Sequence, residues 1–128
     1  VSSSPALLRV SNSTRGTELG DSIKPAGSFW ARLKGLQLAA PLKPGHGLWL
    51  LPSGSVHTCF MRYPIDLVFL DAVGVVVDAR LAVAPWRVVF AVRGTHSCLE
   101  LPAGTVRDTL TCAGDQLSWE TTDTAAAV

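Results

Sequence analysis

The stretch SVHTCFMRYPIDLVFLD, Ser55 to Asp71, decides how this chain is read. It is apolar enough for buried sheet, yet it carries a His, a Cys, a Met, an Arg and two Asp. Side chains alternate across a strand with a period of two. Val56, Thr58 and Phe60 therefore share one face, and His57, Cys59 and Met61 the other. After a break at Tyr63–Pro64, Ile65, Leu67 and Phe69 face one way and Asp66, Val68 and Leu70 the opposite way. A neutral polar group facing a core without a hydrogen bond costs about 2–7 kcal/mol, and a carboxylate more. Asp66 must therefore be held, and Arg62, His57 or backbone N–H groups are its candidate donors. Such a network either does no more than fix register and turn geometry or lines a cleft. Asp71, just ahead of Ala72-Val73-Gly74, reads as a turn residue that bonds its own backbone.

Working outward, DAVG is a tight hairpin turn from which VVVDARLAV returns, and WRVVFAV, SCLEL and QLSWE supply three further strands. LWLLP opens this β-rich half. Upstream, ALLRVSN has strand character, and ELGDSIKPA is a second, weaker strand. Between them and the β-rich half the period changes. Phe29, Trp30, Leu33 and Leu36 fall at helical spacing, Ser28 is placed to cap, and Gly35 sits near the stop. PAGTVRDTL reads as a short helix with Pro102 near its start. The fold class is therefore α+β and β-rich. A curled or half-closed, mainly antiparallel sheet of about seven short strands carries one packed helix and a short second helix. One domain is expected over residues 6–120, with loose termini at 1–5 and 121–128.

Composition narrows the function classes. The 128 residues are 48% hydrophobic and 16% charged, with a net charge of +1. There is no basic field to argue for nucleic acid and no acidic block. No apolar run approaches the ~18–20 residues of a transmembrane segment. No signal peptide stands at the start, which favours the cytoplasm, although the chain begins at Val1 and upstream processing stays open.

The three cysteines, Cys59, Cys98 and Cys112, lack metal spacing. Buried free thiols are the expected state, and a disulfide between two of them is the alternative. His57, Cys59 and Met61 form a soft ligand set, but on an extended strand they span roughly 13 Å, too far for one ion. No metal and no cofactor are expected. Neither a G-x-S-x-G elbow nor a phosphate-binding glycine loop is present.

Two functional readings follow. In the favoured one the chain is a ligand- or partner-binding module, with an unknown small ligand or protein as its partner. Met61, Arg62 and Trp86 are candidate contacts, and Trp49 and Trp119 offer further aromatic surface. In the other it is a small hydrolase or isomerase using His57, Asp66 and Glu100 for acid–base work. The strand of His57 leads across the Tyr63–Pro64 break into that of Asp66, so a hairpin between them would bring the two within diagonal reach. Glu100 lies in the apolar run CLELP and needs a partner, for which Arg62, Arg87, Arg93 and His57 are candidates.

Several segments together resemble a known family. TRGTELGDSIKPAGSFWARLKGL, GHGLWLLPSGSVHTCFMRYPIDLVFLD, WRVVFAVRGTHSCLELPAGTV and AGDQL are similar to the small bacterial and archaeal family called domain of unknown function 192. The matching positions are Arg32 to Leu36, Gly47, Phe60, Met61, Ile65, Asp66, Phe69, Asp71, Gly74, Leu99, Glu100, Gly104, Gly114 and Asp115. The resemblance implies a compact β-rich α+β domain and no established activity, cofactor or catalytic residue. It also implies that members often follow a signal peptide or lipid-type anchor. Phe60 stands where the family usually has Trp, RYPID replaces a longer Lys-Asn-Thr link, and Cys59 matches no family feature.

Overall fold

The computed structural model describes residues 7–26, 42–50, 55–57 (backbone) and 63–122. Nine strands and one helix form in these residues: β1 (Leu8–Asn12), β2 (Thr17–Ala26), β3 (His46–Leu50), β4 (Ser55–His57), β5 (Ile65–Leu70), β6 (Val76–Val83), β7 (Val88–Phe90), β8 (Ser97–Pro102), α1 (Thr105–Thr109) and β9 (Leu117–Thr121). The helix expected at Phe29–Leu36, with Gly35 at its end, lies outside the described residues. The short helix is present.

Seven strands form one sheet in the order β6-β5-β8-β3-β2-β1-β9, and β4 and β7 make a separate two-stranded sheet. The β5–β6 and β1–β2 pairs are antiparallel, whereas β2 and β3 run parallel, so the sheet is mixed. ELGDSIKPA is not a weak strand: it lies within β2, which spans 10 residues and pairs with both β1 and β3. The last strand reaches Thr121, and Thr122 N–H donates to Leu7 O at 2.9 Å.

The sheet curls until its two ends meet. Val75 bridges Gln116, Val76 N–H donates to Asp115 O at 2.8 Å, and Leu117 N–H donates to Gly74 O at 2.9 Å. These bonds join the start of β6 to the start of β9 and make a half-barrel. Closure of this kind satisfies backbone groups that a flat edge would leave open.

All six residues of β5 are buried, because β5 is flanked by β6 and β8 and covered on both faces. Its alternation is as expected. Val68 and Leu70 pack with Val10, Ile23, Leu99, Leu101 and Leu117, whereas Ile65, Leu67 and Phe69 pack with Leu48, Leu50, Tyr63 and Cys98. Each fully buried Leu or Phe contributes about 1.5–3 kcal/mol relative to exposure, so this doubly covered strand anchors the fold. The helix α1 follows β8 at the end where Ile65 faces Pro102. At the other end of the same pair Leu70 faces Ser97, and there the half-barrel has an open mouth.

Candidate functional site

The carboxylate that the sequence singles out first is held by main chain. Asp66 is fully buried, and Oδ1 accepts the Ala82 N–H at 2.8 Å. Oδ2 accepts the N–H groups of Gly104 at 3.1 Å and Val106 at 2.9 Å. The reason is local on both sides. Between the pairs Ile65↔Val83 and Leu67↔Arg80, two steps on β5 oppose three on β6, so β6 carries one extra residue. That bulge puts Ala82 at φ 48 and takes its N–H out of the ladder. Gly104 and Val106 belong to the first turn of α1, whose amides have no partner within the helix. Asp66 thus ties the β6 bulge to the start of α1, and its donors among the described residues are all backbone groups.

Glu100 does not join it. On the regular β5–β8 ladder Asp66 lies opposite Leu101 and Leu67 lies opposite Glu100. Directly opposed residues share a face and neighbours alternate, so the two carboxylates point to opposite faces of the sheet. Glu100 is fully buried on the face of Leu48 and Leu67. Nearby, burial raises the Tyr63 phenol above its ordinary pKa, and the Glu100 carboxylate raises it further. The Tyr63 hydroxyl has no hydrogen-bond partner among the described residues.

The backbone of His57 is in β4, opposite Val88 of β7. Among the described residues β4 pairs with β7, and β5 with β6 and β8, so the conditional hairpin between the His57 and Asp66 strands is not among these pairings. Met61, Arg62 and Cys59 lie outside the described residues. Trp86 sits in the turn between β6 and β7, 62% exposed and at φ 63, away from the mouth of the half-barrel. Of the other cysteines, Cys98 is buried, whereas Cys112 is free and exposed. Its turn is open to solvent, and its Sγ accepts a hydrogen bond from Arg15 Nη2 at 2.8 Å. No three His, Cys, Asp or Glu side chains gather as metal ligands among the described residues.

The mouth is where side chains from distant segments converge around open space. A cavity of about 290 Å³ is lined by Leu8, Trp49, Asp71, Ala72, Gly74, His96, Ser97 and Trp119. Trp119 of β9 lies opposite Val10 and so shares the inner face of the half-barrel. Trp49 of β3 lies opposite Leu99, on the same inner face. The two indoles meet edge to face, with centroids 4.8 Å apart and planes at 86°, a geometry favoured by the ring quadrupole.

The turn after β5 supplies the floor. Asp71 Oδ1 accepts the N–H groups of Val73 at 3.0 Å and Val75 at 2.9 Å, the expected turn role. Gly74 takes φ 88, and a Cβ there would stand 2.6 Å from Trp119 Cζ3, so glycine is required on two counts. Ser97 lies opposite Leu70 and faces inward, while His96 is exposed at the rim and its N–H donates to Leu70 O at 2.7 Å. Sequence reasoning named Trp49 and Trp119 as contact surface but missed His96 and Ser97 as their neighbours. Nothing local links positions 49, 71, 96 and 119, which only the curl of the sheet brings together.

Comparison with known proteins fits this geometry. A family model described as an uncharacterized ACR, DUF192, matches residues 10–119. The chain belongs to the DUF192 family. A UPF0127 protein of Thermococcus sibiricus is 31% identical over 122 residues, covering 91% of this chain and 78% of the relative. One from Pyrococcus furiosus is 33% identical over 114 residues, covering 84% and 95%. A solved structure from Sinorhizobium meliloti, named as a conjectural transcription regulator, superposes with a TM-score of 0.76 at 20% identity. It covers 93% of this chain and 97% of its own. A Novosphingobium aromaticivorans protein of unknown function gives 0.72 at 18%, covering 88% and 83%. These two structures show that the DUF192 domain shares their fold. Among its described residues no helix is long and apolar enough to cross a membrane.

Proposed function

We propose that this DUF192 domain is a small-ligand binding module whose site is the mouth lined by Trp49 and Trp119. The observation that carries the reading is the pair of perpendicular indoles bordering an open cavity of about 290 Å³ at the end of the half-barrel. Concave sites with aromatic walls and a few convergent polar groups are where small molecules bind, and barrel mouths are a common place for them. Stability alone does not call for a Trp left 45% exposed at such a mouth. Asp71, His96 and Ser97 supply polar contacts around the rings.

An acid–base enzyme built on His57, Asp66 and Glu100 has less support. Asp66 already accepts three backbone N–H groups, and Glu100 faces the other side of the sheet. A thermal-shift screen of a chemically broad small-molecule set against the wild type and Trp119→Ala tests the module. Compounds that raise the melting temperature of the wild type and not of the variant are the expected result. Stabilisation that is equal in both proteins contradicts the site.

A further inference from the structure

We infer that the ligand of this mouth is an organic cation of the ammonium type, with methyl groups against the indoles and its charge near Asp71. The inference rests on the binding-module reading above. It starts from charge. Among the described residues lining the cavity, Asp71 carries the one fixed charge, and no Lys or Arg joins it. Oδ1 of Asp71 is occupied by two turn amides, whereas Oδ2 has no donor among the described residues. An anionic ligand would meet a carboxylate and no fixed counter-charge. A cation would meet a carboxylate oxygen and an indole face whose quadrupole attracts it.

Shape points the same way. A flat sugar ring stacks best on a single open aromatic plane. Here the edge of one indole lies against the face of the other, at 86° with centroids 4.8 Å apart, so the pair offers no single open plane of that kind. A rounded trimethylammonium head needs only part of one face beside that contact. The cavity of about 290 Å³ suits a small ligand. The hydroxyl of Ser97 and the imidazole of His96, at the rim, suit a short polar tail.

The test is a titration followed by tryptophan fluorescence with three probes: choline, its uncharged isostere 3,3-dimethylbutan-1-ol, and glucose. Choline is expected to bind at least about tenfold more tightly than the isostere. Asp71→Asn keeps the turn, because Asn accepts the same amides, and is expected to weaken choline about tenfold while leaving the isostere unchanged. Trp119→Leu keeps an apolar side chain at a half-exposed strand position and is expected to abolish the choline preference, which covers the case in which Asp71→Asn does not fold. Equal binding of choline and the isostere overturns the cation assignment, as does an Asp71→Asn variant that binds choline as the wild type does. Glucose binding in place of choline also overturns it, yet leaves the module standing. Failure of all three probes overturns it as well, and the Trp119-dependent hits of the thermal-shift screen then decide the module separately.

Discussion

Asp66 and Gly74 show what single residues do here. Asp66 accepts three main-chain hydrogen bonds with no solvent exposure, and hydrogen bonds to a charged group are the strong kind. Asp66→Asn presents an NH2 group to one or more of those donors. It should destabilise the fold by about 1.5–3 kcal/mol in chemical denaturation, and an unchanged midpoint would show that the three bonds contribute little. Gly74→Ala should also destabilise, by about 1–3 kcal/mol, because the new methyl overlaps the Trp119 ring at a positive φ. The same variant should alter the Trp fluorescence, since the ring must move. A wild-type spectrum and melting temperature together would refute the contact. The need to hold Asp66 was legible in the alternation of IDLVFL. The identity of its donors was not, because Ala82, Gly104 and Val106 are 16, 38 and 40 residues away, and backbone donors leave no mark in side-chain sequence.

At the scale of elements, the corner where β1, α1 and β9 meet is fixed by a second polar cluster. Asp115 Oδ2 accepts from Asn12 Nδ2 at 2.9 Å, Cys112 N–H at 3.0 Å and Arg15 Nε at 3.1 Å. Asn12, fully buried, also donates to Thr111 Oγ1 at 3.1 Å. The Asn12 amide above all, then the Cys112 N–H and Arg15, holds the Asp115 carboxyl down at about 2 against the opposing effect of burial. A depressed folded-state pKa stabilises the protein above the unfolded value, here 3.8. That contribution is lost as pH falls towards about 2. Acid titration of stability should therefore steepen in this window, and Asp115→Asn should flatten it. A variant with the same slope as the wild type would remove Asp115 as the cause. Strand positions, the DAVG hairpin and the Asp71 turn were legible in local pattern. The bulge in β6 and the pairing of β4 with β7 were not, since pairing partners are chosen by packing between segments far apart in the chain.

On the scale of the whole molecule, the proposed function depends on closure. A half-closed, β-rich sheet could be expected from many short strands with few helices. The parallel β2–β3 pair and the insertion of β8 between β5 and β3 could not, because a period-two pattern does not encode strand order. Yet that order is what carries Trp49 to Trp119 across 70 positions, and what sends Asp66 and Glu100 to opposite faces. Two candidate carboxylates from neighbouring strands were thus separated, and the proposed binding site, spread along the chain, was assembled. The most direct test of that claim is a two-dimensional 1H–15N NMR titration with a stabilising compound from the thermal-shift screen. The account predicts the largest shifts at the indole N–H signals of Trp49 and Trp119 and at the amides of Gly74, His96 and Ser97. Shifts centred instead on Glu100 and its neighbours in β5 and β8, with the two indole signals unmoved, would contradict it.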